Sequence, residues 1–563
     1  MDERRPPRGG RGTAGGKGPG APKGSGGPRS SAPGPKGPRT RPDAQKAAPE
    51  RPAPRGDQRP PRPGERPRAL ARKADFDEAR AARTRKEEGL PPARDRDRDR
   101  DRDEDMPERQ PRQRAGRKVR EQAERAAAAR RPQGPGPSSR RFAHALDVLD
   151  AMAYGRATAD KAKNDWFRGR PNVDGQERAQ IERMVDDVMR YRAALDWWID
   201  RAGRGLPPTD QARLVAMQIL VRKRKPKEAM AQIRRPDPEL TKLADALADH
   251  TIDHPDMPPA VRAGIPPWLE PALADRFGRD LIQEMQAMLR PAPLDLRVNA
   301  LAGSRDLARA RLEQEQLTGD PTPYSPLGLR LKPGTDIGRA KALADGLVEP
   351  QDEGSQLAAL LVDARPGQFV VDLCAGAGGK TLAMAGRMEN RGRLVALDIS
   401  EGRLARARTR LRRAGVHNAE CRELDRKWLK RHGAEADRVL VDAPCTGTGV
   451  WRRKPDARWR LAPTDLPELA AAQSALLDDA ARLVRPGGRV VYVTCSLLQA
   501  ENEDQVTAFL ARHPEFSLRP MAQAWAETIG GAPPAKGDML LLTPARHGCD
   551  GFFVAVLERK GGP

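Results

Sequence analysis

The fold of this chain is decided by the stretch Val371-Asp372-Leu373-Cys374-Ala375-Gly376-Ala377-Gly378-Gly379-Lys380-Thr381. An apolar run at 368–373 predicts a buried strand, and the apolar residues after Thr381 predict a helix. Glycines between the two allow the backbone to approach a ligand closely and direct free N–H groups of the helix towards it. A phosphate-binding P-loop would need a glycine in place of Cys374, so the residues exclude that motif.

A second apolar run, at 394–397, ends in Asp398, about 20 residues beyond the glycine turn. A carboxylate at the tip of a second parallel strand is suited to bind the two hydroxyls of a ribose. These residues predict a cofactor that contains a nucleoside, bound in a Rossmann-like crevice. A structural turn without a ligand is the alternative.

Strand and helix patterns alternate downstream, which predicts an α/β fold with a doubly wound parallel sheet and helices on both faces. In an open α/β sheet, ligands bind at the carboxyl ends of the strands. The predicted strand ends carry Asp372, Asp398, Asp425, Asp442 and Cys495. The predicted elements are strands at 421–424, 438–441 and 490–494, helices at 404–411, 466–483 and 503–510, and a hairpin of strands at 539–542 and 552–557.

The first 140 residues have few large apolar side chains and many Pro, Gly and Arg, which predicts a disordered tail. They hold 38 Lys and Arg against 21 Asp and Glu, a net +17 of the chain's +24. Such a basic segment favours loose, salt-sensitive attachment to polyanions. A solubilising extension without a specific partner is the alternative.

Three folded regions are predicted after the tail. Residues 141–255 carry apolar side chains at helical spacing and predict a small helical domain. Its basic stretch at 222–227 is suited to contact RNA phosphates, and a merely solvated face is the alternative. Residues 256–345 predict a small α+β module, and residues 346–560 predict the Rossmann-like domain. The elements expected in the module are helices at 268–281 and 305–314 and a strand at 293–299.

The chain has five widely spaced cysteines and no Cys-x-x-Cys pair, which argues against a disulfide framework or a zinc site. No apolar run approaches the roughly 18 residues that a membrane span needs. The N-terminus shows no signal peptide. We therefore expect a reduced, metal-free, cytoplasmic protein that is monomeric and does not enter a membrane.

Two of the cysteines are candidates for chemistry. Cys445 follows one predicted strand and Cys495 follows another, so both would face the crevice, where a thiolate can act as a nucleophile. A single cysteine near a strand end is more often a small buried hydrophobe. Two cysteines at an edge that also carries carboxylates favour chemistry.

Five segments of the chain, in this order, resemble the Sun/RsmB-type family of RNA cytosine-C5 methyltransferases. They are Gln351-Asp352-Glu353-Gly354-Ser355-Gln356, 372–381, 442–450, Thr494-Cys495-Ser496 and Asp550-Gly551-Phe552-Phe553. The resemblance covers about 258–559, and the helical region resembles more weakly the NusB-like domain of the bacterial 16S rRNA members. It implies that the helical domain at 141–255 and the module at 256–345 bind RNA. The chain departs from the family at Gly376-Ala377, where Ala-Pro is usual, and at Lys454, where histidine is common.

The resemblance implies methylation of cytosine C5 in RNA, with S-adenosylmethionine as cofactor and 16S rRNA as the expected substrate. Cys495 would attack C6 of the cytosine, and Cys445 would assist release of the covalent RNA adduct. Asp442 would contact the ring near N3, and Lys380 would lie between the cofactor and the target base. The residues expected to bind the cofactor are Cys374, Ala375, Gly376, Ala377, Gly378, Gly379, Lys380, Asp398 at the ribose, Asp425 beside the adenine, and Asp442.

Other functions stay open at this point. Cytosine-C5 methyltransferases of DNA use the Pro-Cys cysteine as nucleophile, which would exchange the roles of Cys445 and Cys495. A tRNA substrate is a second alternative. The third is a catalytically silent RNA-binding factor in ribosome assembly, although such a protein need not retain Cys495, Cys445 and Asp442.

Overall fold

The computed structural model describes residues 137–155 and 158–562, so nearly all of the predicted tail, residues 1–136, lies outside the described residues. The first helix begins at Pro137, which places the start of the helical region before its predicted boundary at residue 141. The helices of this region are α1 (Pro137–Gly155), α2 (Ala159–Arg168), α3 (Gly175–Ala202), α4 (Asp210–Leu220), α5 (Pro226–Met230) and α6 (Pro238–Ala246).

These helices surround an apolar core. Phe142 and Leu149 of α1 pack with Ile181 and Val188 of α3, and all four side chains are buried. Seven residues separate the members of each pair, which places them on one face of their helix. Side-chain N-caps fix the starts of α2, α3 and α4; they are Thr158, Asp174 and Thr209.

Three short helices connect this region to the first sheet. The prediction of one helix at 268–281 is wrong, because Gly278 has a φ of 52° and ends the helix there. Only glycine adopts such a conformation without steric cost. A 3₁₀ turn then leads into the next helix. The three helices are α7 (Pro259–Ala263), α8 (Glu270–Phe277) and α9 (Leu281–Ala287).

A small antiparallel sheet follows, with the strand order β2-β3-β1-β4. Its last strand pairs with β1, so the module extends to Pro350, past its predicted end at residue 345. Leu296 and Leu329 of the sheet pack against Leu312 of a helix whose bounds equal the predicted ones. The elements are β1 (Leu294–Val298), α10 (Arg305–Gln314), β2 (Asp320–Pro321), β3 (Gly328–Leu331), α11 (Lys341–Ala344) and β4 (Val348–Pro350).

The second sheet has eight strands in the order β10-β12-β9-β8-β5-β6-β7, with β11 paired to β12. Strands β5 to β9 are parallel, and β12 runs antiparallel to β9. The chain moves outward from β5 to β7 and then returns to the other side of β5, which creates a switch point where such sheets bind ligands. The strands are β5 (Phe369–Asp372), β6 (Arg393–Asp398), β7 (Ala419–Glu423), β8 (Ala436–Asp442), β9 (Val484–Thr494), β10 (Phe516–Arg519), β11 (Leu540–Leu542) and β12 (Phe552–Arg559).

Both faces of this sheet are covered by helices, which confirms the predicted α/β fold. Successive strand residues point to opposite faces, so Val370 and Val371 belong to two different apolar clusters. One face carries α12 (Glu353–Leu360), α13 (Gly379–Arg387), α14 (Glu401–Arg413) and α19 (Met521–Thr528). The other carries α15 (Arg426–Arg431), α17 (Asp465–Leu483) and α18 (Glu503–Arg512), while α16 (Ala457–Arg460) and α20 (Pro544–His547) lie in connections.

Two predicted elements of the sheet need correction. Strand β7 ends at Glu423, so Asp425 is not a strand end and instead caps α15. Strand β9 begins at Val484, before its predicted start at residue 490, and includes Pro486. An irregularity in the pairing of β9 with β8 accommodates the proline. Among the described residues, no helix has the length and apolar character to cross a membrane.

Candidate active site

Four side chains from neighbouring strands lie at one edge of the large sheet. Asp372, Asp398 and Asp442 are the last residues of β5, β6 and β8. Cys495 follows the last residue of β9 directly. Since these strands are adjacent and parallel, their carboxyl ends form one continuous edge, as the sequence predicts.

The glycine turn after β5 lies beside the carboxylate of Asp398. The backbone N–H of Gly376 donates to Oδ2 of Asp398 at 2.9 Å, and that of Ser400 donates to Oδ1 at 2.9 Å. A Cβ atom placed on Gly376, which has a φ of 57°, would meet no atom within 4 Å, so the turn opens onto free space. Nη1 of Arg403 lies 3.3 Å from Asp398, whereas the buried Nη2 of Arg403 has no hydrogen-bond partner.

The rest of the turn is held by backbone contacts. The N–H of Ala375 donates to the carbonyl of Leu397 on β6 at 2.9 Å. Arg410 of α14 donates to the carbonyl of Ala377 at 2.7 Å. Cys374 packs against the apolar cluster of the second face. The turn is therefore fixed to β6 and α14 before any ligand binds.

Lys380, the second residue of α13, reaches the end of β8. Its Nζ lies 3.0 Å from Oδ2 of Asp442 and 5.2 Å from the ring centroid of Phe552. The lysine side chain is 8% exposed, so the pair is largely shielded from water. An ammonium held in this way can donate hydrogen bonds to a ligand in the crevice without a large entropic cost.

Asp372 links the two parts of the edge. It is fully buried, and Thr381 donates to its Oδ2 at 2.6 Å, while its Oδ1 has no hydrogen-bond partner. Burial raises the pKa of Asp372 to about 7. The charges of Asp442 and Asp398 raise this pKa further, and the hydrogen bond from Thr381 and the charge of Lys380 lower it. The pKa of Asp372 therefore responds both to Asp398 beside the glycine turn and to the Lys380–Asp442 pair at the end of β8.

The two candidate cysteines are brought together. Sγ of Cys445 lies 3.4 Å from Sγ of Cys495, and both residues are half-buried. The Cys445 loop makes a sharp turn at Gly447, which has a φ of 68°, and the N–H of Gly449 donates to the carbonyl of Cys495 at 2.9 Å. Two thiols at this distance can act on the same bond of one substrate.

Sequence reasoning missed the buried carboxylate that lies behind these cysteines. Glu501 is fully buried and accepts hydrogen bonds from Thr446, Gln473 and Ser496. The available signal was weak: Glu501 lies six positions after Cys495 and begins a run of five polar residues, 501–505, which is typical of an ordinary helix start.

Asp425 and two further cysteines lie apart from the two thiols. Asp425 is exposed, and its side chain accepts the N–H of Lys427 at 3.1 Å. Cys421 and Cys549 pack against the apolar cluster of the first face, and burial raises the pKa of both thiols. Both cysteines are therefore packing residues of this face. The place of Asp425 beside an adenine stays a prediction.

Comparison with known proteins identifies the family. Residues 359–558 match the family model described as 16S rRNA methyltransferase RsmB/F. Ribosomal RNA small subunit methyltransferase B of Salmonella newport (strain SL254) is 31% identical over 410 residues, which are 69% of this chain and 92% of that protein. The chain belongs to the RsmB/F methyltransferase family. The protein of the same name from Vibrio cholerae serotype O1 is 35% identical over 305 residues, 54% of this chain and 67% of that protein.

The comparisons extend beyond the catalytic region. Residues 265–338 match the ferredoxin-like domain of RsmF/B-like methyltransferases. The crystal structure of PH0851 matches with a TM-score of 0.61 and 26% identity, and covers 76% of this chain and 100% of that chain. Both matched family models begin after residue 255, so the NusB-like character of the helical region stays a prediction.

Membership of the RsmB/F family confirms the predicted class of enzyme, an RNA methyltransferase that uses S-adenosylmethionine. The residues at the edge fit this cofactor. The turn at Gly376 opens onto free space, and Asp398 keeps lone pairs that can accept hydrogen bonds from ribose hydroxyls. Arg403, which pairs with Asp398, has a buried Nη2 without a hydrogen-bond partner. The departure from Ala-Pro at Gly376-Ala377 leaves the following glycines and Lys380 in place.

Proposed function

We propose that this chain methylates C5 of a cytosine in small-subunit rRNA through a covalent bond between Cys495 and the base. The observation that carries the proposal is the 3.4 Å distance between the sulfurs of Cys445 and Cys495 at the edge of the sheet. The Lys380–Asp442 ion pair lies at the same edge, three residues before Cys445. The relatives from Salmonella and Vibrio, named as small subunit rRNA methyltransferases, support the substrate.

The chemistry requires a nucleophile because C5 of cytosine is unreactive in the aromatic ring. Sγ of Cys495 adds to C6, and the electrons of the C5–C6 bond move to C5, which becomes nucleophilic. S-adenosylmethionine supplies the methyl group when it is bound. Water in the crevice then takes the proton from C5, and the electrons of the C5–H bond restore the C5–C6 double bond. The bond from C6 to sulfur breaks at the same time, and Cys495 leaves as a thiolate.

The neighbouring residues have separate roles in this scheme. Asp442 contacts the cytosine at N3, where negative charge develops as the thiolate adds. A proton held between this carboxyl group and N3 neutralises that charge and lowers the barrier. Lys380, 3.0 Å from Asp442, orients this carboxylate and separates the base from the cofactor. Cys445, 3.4 Å from the leaving sulfur, assists release of the RNA.

The target base must leave its stack, because the thiol needs access to C6 from one face of the ring. An rRNA substrate agrees with a cytoplasmic location. That location stays a prediction from the sequence, as does the monomeric state.

The test is transfer of a labelled methyl group from S-adenosylmethionine to 16S rRNA, followed by denaturing gels. We expect wild-type protein to methylate the RNA and Cys495→Ala to be inactive, with a loss of at least about 10⁴-fold. Cys445→Ala should form the bond to RNA but fail to release it, so protein and RNA should migrate together.

Cys421→Ala is the matched control, because this thiol packs against the core and should be dispensable. An active Cys495→Ala variant would contradict the proposal. So would a Cys445→Ala variant that forms no adduct, since the roles would then be those of the DNA enzymes. Parallel reactions with tRNA test the substrate, and preferential labelling of tRNA would exclude small-subunit rRNA.

A further inference from the structure

We propose that Glu501 is the positioning residue that sets the distance between the two active-site thiols. Its carboxylate is fully buried and bridges the loop that carries Cys445 and the loop that carries Cys495. This inference rests on the proposed function for its catalytic consequence. The bridge itself is a feature of the structure that can be tested without RNA.

The bridge engages the residue that directly follows each cysteine. Thr446 follows Cys445, and it donates its backbone N–H to Oε1 of Glu501 at 2.8 Å and its hydroxyl to Oε2 at 2.5 Å. Ser496 follows Cys495, and its hydroxyl donates to the same Oε2. A displacement of the carboxylate would therefore move both loops.

Further contacts hold the carboxylate itself. Nε2 of Gln473, on α17, donates to Oε1 of Glu501 at 3.0 Å and to the carbonyl of Pro444 at 2.9 Å. The hydroxyl of Tyr492, on β9, donates to the backbone carbonyl of Glu501 at 2.6 Å. The neighbouring Asn502 donates to the carbonyl of Ser496 at 2.9 Å. Glu501 is thus fixed to the scaffold on one side and fixes the two loops on the other.

The charge of the carboxylate suits this role. A carboxylate accepts up to about four hydrogen bonds and donates none, so it orients donors that converge from different segments. Here four donors converge on it, from Thr446, Gln473 and Ser496. Buried hydrogen bonds to a charged group are stronger than neutral ones. Removal of the group would leave those donors unsatisfied in the interior.

The consequence for catalysis falls on the step that uses both thiols. Addition to C6 needs Cys495 alone, whereas release of the RNA also needs Cys445 close by. Gly376 and Asp398, which are expected to contact the cofactor, lie in the turn after β5 and at the end of β6. Neither makes a hydrogen bond with Glu501 in the described structure. Loss of the bridge should therefore slow release and turnover and leave the affinity for S-adenosylmethionine unchanged.

The test compares Glu501→Ala and Glu501→Gln in the full-length chain, with Glu503→Gln as matched control. Glu503 is a neighbouring carboxylate that pairs with Arg276 at 2.7 Å, outside the bridge. Phenylarsine oxide, which binds tightly only when two thiols are adjacent, measures the thiol spacing without RNA. Its binding to Cys445→Ala gives the background from the other cysteines.

We expect Glu501→Ala to lose about tenfold or more in affinity for phenylarsine oxide and about 100-fold in methyl turnover. A gel-stable RNA adduct should accumulate, while the Kd for S-adenosylmethionine stays at the wild-type value. Glu501→Gln keeps the shape and one acceptor oxygen, so its losses should be smaller. Because glutamine conserves the volume, this variant keeps the test decisive if the alanine variant does not fold.

Wild-type affinity for phenylarsine oxide in folded Glu501→Ala would overturn the proposal, even if turnover fell. If Glu503→Gln lost as much affinity for phenylarsine oxide and as much turnover, the proposal would also be overturned. Removal of any nearby negative charge would then explain the losses. Failure of Cys445→Ala to accumulate any RNA adduct would instead reject the proposed function. The arsenical measurement would still report whether Glu501 sets the thiol spacing.

Discussion

A single buried carboxyl group, that of Asp372, lies between the glycine turn and the end of β8. Its pKa is raised to about 7, mainly because burial removes the solvent that would stabilise its charge. A carboxyl group whose pKa is higher in the folded state than in the unfolded state binds its proton more tightly when folded. Asp372 therefore favours the folded state most at low pH, and this contribution is lost as pH rises towards 7.

Asp372→Asn should remove this pH dependence. The amide is neutral at all pH values and can still accept the hydrogen bond that Thr381 donates to Asp372. Between pH 5 and 6, the free energy of unfolding of wild-type protein should fall by about 1.4 kcal/mol more than that of the variant. Urea unfolding across this pH range measures the difference.

The control for this comparison is Asp320→Asn, because Asp320 is exposed on the short strand β2. Its pH profile of stability should follow that of the wild type. Parallel profiles for wild type and Asp372→Asn would show that the Asp372 carboxyl is not protonated in the folded protein at pH 5.

At the scale of elements, local sequence patterns correctly predicted those helices and strands whose formation depends on residues close together in the chain. Helix α10 has its predicted bounds, and β5, β6 and β8 lie where apolar runs indicated buried strands. Strand β10 and helix α19 were not predicted. Strand β10 is four residues long and is defined by its pairing with β12, about 40 residues further on, which no local pattern reveals.

The glycine turn is the element whose backbone the sequence specified best. Gly378 has a φ of 79°, and a Cβ atom there would lie 3.0 Å from Cβ of Ala407 on α14. Gly378→Ala should therefore lose about 1–2 kcal/mol of stability and shift the start of α13. We expect the Kd for S-adenosylmethionine to rise about tenfold or more. Calorimetric titration and thermal unfolding measure the two effects.

Gly402→Ala is the control for that substitution. Gly402 lies in the first turn of α14, and a Cβ atom there would meet only Oγ of Ser400, at 3.9 Å. A glycine in a helix costs roughly 0.5–1 kcal/mol relative to alanine, so this variant should be slightly more stable. Unchanged cofactor affinity in Gly378→Ala would show that the turn tolerates a side chain and does not contact the cofactor closely.

At the scale of the molecule, the helical region attaches to the segment that follows the Cys445 loop. Nε1 of Trp459 donates to the carbonyl of Met189 at 2.6 Å, and Nη1 of Arg190 donates to the carbonyl of Arg452 at 3.1 Å. These contacts join residues that are 270 and 262 positions apart. Side-chain donors that bind distant backbone carbonyls leave no periodic signal, so the sequence could predict the regions but not their attachment.

The basic tail allows a prediction for the whole molecule. Residues 1–140 carry a net +17 of the chain's +24, whereas the strands of the described part of the chain and the candidate site lie after residue 293. Each RNA phosphate that a basic side chain neutralises releases counterions. The logarithm of the RNA-binding constant therefore falls linearly with the logarithm of the salt concentration, and the slope grows with the number of phosphates contacted. Removal of residues 1–136 should therefore weaken RNA binding at low salt and make this dependence shallower.

Fluorescence anisotropy with labelled rRNA, from roughly 50 to 200 mM salt, measures this slope for the full-length chain and for the truncated chain. The turnover rate at saturating RNA and the Kd for S-adenosylmethionine should stay unchanged, because the residues proposed to bind and react lie within 374–495. A chain in which the basic residues of the tail are replaced by glutamine separates charge from length and should behave like the truncated one. Equal slopes for full-length and truncated chains would mean that the tail contacts no phosphates, and the basic segment would then be a solubilising extension.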